Sequence, residues 1–269
     1  MVAPELVRST IDGVTLLGDP NRPGGVTFAF MERTGGVSDG CFSSLNLGDN
    51  TDDDPLRVAE NRRRALASLG AGSLYPRLVS LKQVHGTNIV VVKDDGKGLE
   101  HAKAAARDGA DGVVCLVPNV PVLICTADCA AVVLVADGAF AVVHSGWKGC
   151  LSRIAGKAAR ILASESGCNT SAIRAYVGPH IGVDDYEVSS DLAAQFASEF
   201  GDRALGKGNH LNLAATIVAS LEDVGVPTAN VVCVPESTFQ YEERYFSFRR
   251  QQGSCGRMGV LACILKDSD

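Results

Sequence analysis

The sequence predicts a single α+β domain built around buried, mixed β-sheet, and three observations support that prediction. Short apolar runs rich in Val and Leu recur with brief turns between them, which is typical of buried strands. Segments with helix start and stop signals are interspersed among these runs. No linker, repeat or low-complexity segment divides the 269 residues, so one domain covering residues 1–269 is expected.

Taken in chain order, the first half contains one helix and several short strands. Asp54 and Pro55 predict the helix start, because Asp caps free N–H groups and Pro tolerates the first helical position. The helix is expected to run to about Leu69, where Gly70 ends it. Residues 94–107 are expected to be a charged excursion in which His101 has no role. The expected strands are 26–30, 78–84, 88–92, 110–117 and 120–125.

The clearest element is a β-hairpin over residues 130–143. Two apolar runs flank Asp137-Gly138, a dipeptide that favours a two-residue type I′ turn with positive φ at both positions. Counting back from this turn places Ala131 opposite His144. Cys129 lies two residues before Ala131, so it shares a face with His144, at a diagonal Cα distance of about 7–8 Å. We therefore expect a thiol and an imidazole to point at one place.

The second half alternates helices and strands. A glycine-bearing turn over 145–149 leads into a helix with apolar residues at helical spacing, namely 151, 154, 158, 161 and 162. Further helices are expected over 191–200, with Asp191 as the N-cap, and over 213–224. The expected strands are 175–178, 231–234 and 259–265.

Composition and charge exclude several classes of protein. A net charge of −6 and a pI near 5.4 argue against a general nucleic-acid binder, which carries a basic field. Pro118, Pro121, Asp128 and Asp137 interrupt the longest apolar stretches, so no segment is expected to span a membrane. The N-terminal residues show no secretory signal, and nine irregularly spaced cysteines do not form a disulfide framework. These features predict a reduced, cytoplasmic protein.

Three residues of metal-ligand type stand at the expected ends of buried strands, each beside a glycine or a polar break. His85, Cys129 and His144 together make a three-donor set, and catalytic zinc uses three protein ligands plus an open position. Zinc would hold Cys129 as the thiolate and lower the pKa of a bound water towards about 7. Any one of these residues alone is more often structural. The set as a whole predicts a metal site.

A metal-free alternative remains open on the same residues. Cys129 could act as a nucleophile that His144 activates, as in a hydrolase or deamidase. The hairpin count supports this pair as well as it supports a metal site. A third alternative is a non-catalytic metalloprotein that acts as a binding partner. Metal content separates the first two hypotheses, and turnover separates the third from both.

Several motifs in order resemble the YfiH-like, laccase-domain family, over residues from about 26 to 265. Those motifs lie at 33–38, 44–48, 82–86, 110–112, 126–129, 144–147, 178–182, 249–250 and 256–257. The resemblance implies mixed β-sheets packed as a sandwich with flanking helices, and zinc bound by His85, Cys129 and His144. It implies phosphorolysis of purine nucleosides (adenosine, inosine and methylthioadenosine) with adenosine deamination, so the expected partners are a purine nucleoside and phosphate. Ser145 and Asp184-Asp185 depart from the residues that many members carry.

Within that resemblance, further residues acquire roles from their type and their place in loops. Asp128, next to a ligand, is the candidate proton carrier and is grouped with the ligands as catalytic. Three cations in glycine-associated loops are expected to hold phosphate, and they are Arg33, Lys148 and Arg257. Two amide side chains are expected to bind the substrate, and they are Asn46 and Gln83.

The family has also been described as a multicopper polyphenol oxidase. Five histidines with no His-x-His pair are too few for a blue copper centre plus a trinuclear cluster. Copper can nonetheless displace zinc at a His₂Cys site in vitro, so a copper-binding polyphenol oxidoreductase stays an alternative. Editing of peptidoglycan precursors by hydrolysis is implied for some relatives and is a further alternative.

Overall fold

The structure, a computed structural model, describes residues 3–94 and 96–266. The strands in this part of the chain are β1 Val7–Ile11, β2 Val14–Gly18, β3 Val26–Met31, β4 Val79–Ser80, β5 Ile89–Val92, β6 Gly112–Cys115, β7 Val122–Thr126, β8 Ala130–Ala136, β9 Ala139–Ser145, β10 Arg174–Val177, β11 Val231–Cys233 and β12 Met258–Ile264. The α-helices are α1 Pro55–Ser68, α2 Lys97–Gly109, α3 Trp147–Leu151, α4 Ile154–Ser166, α5 Ser190–Phe200 and α6 Leu213–Glu222.

The strands form two six-stranded mixed sheets. The first has the order β1-β2-β3-β12-β7-β4, with only β4 running parallel to its neighbour. The second has the order β11-β10-β8-β9-β6-β5, with parallel pairs at its two edges. Phe28 and Val260 of the first sheet share one apolar core with Val133 and Tyr176 of the second, so the sheets pack face to face.

Helices cover the outer faces of this sandwich. Ile154, Leu162 and Ile217, from α4 and α6, pack on the outer side chains of β8 and β9. Ala65 and Leu66 of α1 pack on the outer face of the first sheet. Burial on both faces explains why β8 and β9 are continuous apolar runs rather than alternating ones. The predicted α+β sandwich with flanking helices is confirmed.

The central hairpin has the predicted register but a different turn. Ala131 pairs with His144 and Ala136 with Ala139, as the sequence count requires. Only Gly138 has positive φ (65°), so the type I′ expectation for both turn residues is wrong. The Gly138 N–H donates to the carbonyl of Gly24, and this external contact fixes the turn in another conformation.

Four local expectations are wrong. The stretch 97–109 is helix α2, whose buried residues Leu99, Ala102 and Ala106 are hidden among charges in the sequence. The strand expected over 78–84 is limited to β4, because the Lys82 N–H bonds to a carbonyl of α2 rather than to a strand. The helix after residue 149 is two helices, separated where Arg153 adopts φ 56°. Helix α5 is capped by Ser189, not by Asp191.

An N-terminal hairpin, β1–β2, was not predicted. It turns at Asp12-Gly13, where both residues have positive φ. Arg8 of β1 forms ion pairs with Glu32 and Glu236 and so ties this edge to the C-terminal loops. The nine cysteines are free thiols. No helix within residues 3–94 and 96–266 is long and apolar enough to cross a bilayer.

Candidate active site

Three ligand-type side chains converge at one end of the second sheet. His144 lies in β9, Cys129 immediately precedes β8, and His85 lies in the loop after β4. Their potential ligand atoms all lie within 4.8 Å of one another. The two imidazole rings are 4.7 Å apart between centroids and nearly perpendicular. The hairpin register therefore does bring Cys129 and His144 to one face. His85, by contrast, is exposed in a loop and does not end a strand.

Asp111, just before β6, connects two of these side chains. It is fully buried, and its Oδ1 lies 2.8 Å from His144 Nδ1 and accepts a hydrogen bond from the His85 backbone N–H at 2.9 Å. Its Oδ2 accepts from the N–H groups of Gly86 and Val84. With a proton on Nδ1, the Nε2 atom of His144 is left free for a ligand. Asp111 thus sets both the tautomer of one histidine and the backbone of the other.

The thiol and the buried imidazole stabilise each other as ions. Burial alone would raise the pKa of the Cys129 thiol, but the charge of His144 and hydrogen bonds from both histidines lower it to about 6. Burial alone would lower the pKa of His144, but the Cys129 thiolate and Asp111 raise it to about 9. Cys129 is therefore available as a thiolate, the form that both binds metals and acts as a nucleophile.

The immediate surroundings fit a metal ion. A Cβ atom on Gly146 would lie 2.9 Å from Cys129 Sγ and 3.2 Å from His85 Cδ2, so glycine leaves the space in which the three donors meet. Two imidazoles and a thiolate, with a carboxylate behind one imidazole, are the donor set and outer partner of catalytic zinc sites. In the described chain, this is the only cluster of three or more such side chains close enough to hold one ion.

Asp128 has a defined structural task beside Cys129. Its backbone is left-handed, with φ 86°, and His85 is also left-handed, with φ 57°. Its carboxylate accepts hydrogen bonds from Thr238 Oγ1 and from the Arg249 backbone N–H, both at 2.7 Å. Both carboxylate oxygens therefore have partners, which hold the turn that presents Cys129.

The three donors open into a cavity of about 420 Å³. This volume lies within the range of small-molecule sites. Three aromatic residues, Trp147, Tyr186 and Phe248, line it together with Arg249 and Arg257. The Arg249 group lies 5.2 Å from the Tyr186 ring and the Arg257 group 5.4 Å from the Phe248 ring. The cavity thus offers flat apolar surfaces and positive charge next to the donor atoms.

Two of the five residues expected to bind substrate line this cavity. Gln83 does so, but its side-chain amide is hydrogen bonded to both backbone groups of Cys125. Arg257 does so as well, and its Nη1 donates to the carbonyls of Cys255 and Gly256.

The other three residues lie elsewhere. The Arg33 guanidinium donates to the carbonyls of Ser43 and Glu242 and lines a separate surface groove. Asn46 is fully buried, and its amide bonds within its own loop and to the Arg257 N–H. Lys148 is exposed on α3, 5.4 Å from the Trp147 ring, and is not among the residues that line the cavity.

Asp111, Arg249 and the aromatic walls received no role from the sequence. A signal existed for Asp111, since an acidic residue flanked by Ala110 and Gly112 opens a buried strand and must have a partner there. No comparable signal existed for Tyr186 and Phe248, which only the packing of distant loops brings to the site.

A two-sheet sandwich with two histidines and a cysteine at the foot of a small-molecule cavity is the arrangement of an enzyme active site, and these three donors are close enough to hold a metal ion. The chain belongs to the YfiH-like laccase-domain family, described as multi-copper polyphenol oxidoreductase laccase, which matches residues 27–265.

Relatives in that family carry two kinds of name. A Deinococcus radiodurans protein named purine nucleoside phosphorylase is 38% identical, over 94% of both chains. A protein named adenosine deaminase RL5, from an unknown prokaryotic organism, is 32% identical over 84% of this chain and 90% of its own. The crystal structure of YlmD from Geobacillus stearothermophilus superposes with a TM-score of 0.85 at 28% identity, covering 98% of this chain and all of that one.

Proposed function

We propose that this protein is a zinc-dependent purine nucleoside phosphorylase that acts on adenosine, inosine and methylthioadenosine and also deaminates adenosine. The observation that carries the proposal is the cluster of His85, Cys129 and His144 at the foot of a cavity with aromatic and cationic walls. The names of the relatives support both activities. Nine free thiols are consistent with the cytoplasmic setting that the sequence predicts.

The metal ligands in this proposal are His85, Cys129 and His144. Bound zinc supplies Lewis acidity, by which such sites polarise substrate oxygens and activate water. Asp111 keeps the Nδ1 proton on His144, so that Nε2 would be free to hold the ion. Asp128 fixes the turn before Cys129 through its two hydrogen bonds. Because it is also directly next to a ligand in the sequence, it is the proposed proton carrier.

In this proposal, the aromatic residues of the cavity wall bind the purine and the arginines bind phosphate. A purine ring stacks on the aromatic side chains, of which Tyr186 and Phe248 each also lie beside an arginine. Phosphorolysis breaks the bond between the base and C1′ of the ribose and joins phosphate to C1′. Arg257 and Arg249 supply positive charge for that phosphate and for the developing charge of the reaction. Gln83, held by Cys125, forms a rigid part of the wall.

A metal-free cysteine hydrolase or deamidase is the second candidate, and one observation favours it. The thiolate form of Cys129 beside a protonated His144 is the resting state of a cysteine nucleophile with its acid–base partner. Zinc-stripped protein with undiminished turnover would select this candidate over the metalloenzyme. Turnover after exchange of zinc for copper tests the copper-binding oxidoreductase. Turnover with a peptidoglycan precursor as substrate tests the editing hydrolase.

The test of phosphorolysis is the phosphate dependence of inosine cleavage by zinc-loaded protein. Hypoxanthine release should require phosphate, saturate with it and yield ribose 1-phosphate. Arg257→Gln should raise the phosphate KM roughly ten- to a hundredfold, because a charge-assisted contact in a desolvated site is worth about 1.5–3 kcal/mol. Adenosine deamination, which consumes water and releases ammonia, should change much less. Equal base release in phosphate-free buffer would overturn the assignment.

A further inference from the structure

A second cavity, of about 330 Å³, adjoins the metal cavity. Gln83 and Cys125 line both, so the two spaces share a wall. The Gln83 amide is hydrogen bonded to the backbone N–H and carbonyl of Cys125, and the exposed Asn50 also lines both spaces, so they adjoin at the protein surface as well. We refer to this second space as the annex.

Three cations from three different segments surround the annex. Arg62 comes from α1, Lys82 from the loop after β4, and Arg107 from α2. Asp49 is the acidic residue of the annex and pairs with Arg62 at 3.2 Å. Within residues 3–94 and 96–266, the side chains of Lys82 and Arg107 have no ion pair or hydrogen bond.

Backbone hydrogen bonds join the two segments that carry Lys82 and Arg107, and both residues line the annex. The Lys82 N–H donates to the carbonyl of Ala106 at 2.9 Å, next to Arg107, and the Ala110 N–H donates back to the Lys82 carbonyl. Two cations that line one cavity favour an anion there, although water screens exposed charges. In a chain of net charge −6, two unpaired cations that line one cavity are a local exception to the overall charge.

We propose that the annex is a phosphate subsite beside the nucleoside cavity. Two unpaired positive charges match the dianionic phosphate group, and Arg62, whose Nε is already hydrogen bonded to the Leu47 carbonyl and whose Nη2 pairs with Asp49, adds a third cation. The phosphate is carried by a nucleotide whose base occupies the metal cavity, or it is free inorganic phosphate, bound apart from the phosphate that Arg257 and Arg249 are proposed to hold for phosphorolysis. The nucleotide form rests on the proposed function, whereas the free-phosphate form does not.

The experiment is calorimetric titration of zinc-loaded protein with inosine, inosine 5′-monophosphate and inorganic phosphate at constant ionic strength. The variant is Lys82→Gln combined with Arg107→Gln, and both side chains are exposed, so the fold is retained. The matched control is Arg160→Gln, an exposed cation of α4 that lines neither cavity.

If the phosphate belongs to a nucleotide, the monophosphate should bind about tenfold more tightly than inosine, and the double variant should abolish that advantage while inosine binding stays unchanged. If the phosphate is free, the double variant should weaken inorganic phosphate by about tenfold without altering the ratio between the other two ligands. Variant and control behaving alike with all three ligands would overturn the proposal. Lys82- and Arg107-dependent phosphate binding in a protein that does not bind inosine would instead retain the subsite and reject the proposed function.

Discussion

Asp111→Asn tests whether a buried carboxylate organises the metal-binding centre. The change keeps the size of the side chain but replaces one of two acceptor oxygens with a donor NH₂ group. Four donors face the native carboxylate: the ring N–H of His144 and the backbone N–H groups of Val84, His85 and Gly86. Whichever way the amide turns, its NH₂ group faces two of these donors.

The expected magnitude follows from these contacts. If the NH₂ group faces His144, the ring must shift its proton to Nε2 and can no longer bind an ion there; if it faces Val84 and Gly86, the His85 loop loses its anchor. Loss of an outer partner of this kind weakens metal binding by roughly 10- to 100-fold. Each hydrogen bond to the charged group is worth about 1.5–3 kcal/mol, and part of the loss is offset because the amide carries no buried charge. The free energy of unfolding of the zinc-free variant should fall by about 3 kcal/mol.

Two measurements separate these effects. Competition with a chelating dye gives the zinc affinity of the folded protein, and urea unfolding of zinc-free protein gives its stability. Asp137→Asn is the matched control, because it makes the same chemical change at an exposed turn of the same sheet. Native zinc affinity in Asp111→Asn would refute the idea that this carboxylate sets the tautomer and the loop.

Three further predictions concern the centre and the N-terminal edge. Purified protein should carry close to one zinc per chain by elemental analysis, and alanine at any ligand should remove most of it, because two donors hold zinc weakly; native zinc content in H85A, C129A and H144A would contradict this. Gly146→Ala should weaken zinc binding while circular dichroism stays native, since a methyl group there meets Cys129 Sγ and His85; unchanged affinity would show that the space is not needed. Burial opposes ionisation of Glu236, but hydrogen bonds from Tyr245 and Arg8 lower its pKa below the ordinary value. Glu236→Gln should therefore be less stable than the native protein at neutral pH, and thermal melts should show the difference shrinking as the pH falls through that lowered pKa; a difference independent of pH would exclude the carboxylate charge as its cause.

The hairpin over β8 and β9, and with it two of the three ligand-type residues, could be predicted from the sequence because both depend on local rules. A two-residue loop at Asp137-Gly138 fixes the pairing, and pairing fixes the face of each side chain. The same rule applies to Asp12-Gly13, whose two residues also form the turn of a hairpin, β1–β2. Helix α2 was harder to see, because only a narrow apolar stripe marks it.

Residues that act through distant partners could not be placed in this way. A neighbouring glycine indicates that the backbone can approach a ligand, but it does not indicate where a side chain points. Arg33 has such neighbours, yet its guanidinium is bound by the carbonyls of Ser43 and Glu242. Asp111 meets His144 and the His85 loop only because β6 pairs antiparallel with β9 and parallel with β5. Such contacts follow from sheet order, which local sequence patterns do not encode.

The left-handed backbone at His85 and Asp128 shows that the metal-binding residues are ordered during folding and not during metal binding. A non-glycine residue in this region costs about 1–3 kcal/mol, and here the carboxylate of Asp111 and the partners of Asp128 hold both residues in place. Protein groups alone make these hydrogen bonds, so the unfavourable free energy of the left-handed backbone is offset as the chain folds. Ion capture then requires little rearrangement and little further loss of entropy. Glycine at position 85 or 128 would relieve the backbone strain, but it would remove a ligand-type imidazole or an anchoring carboxylate. The strained residues therefore lower the stability of the fold while they keep the three donors in place before an ion binds.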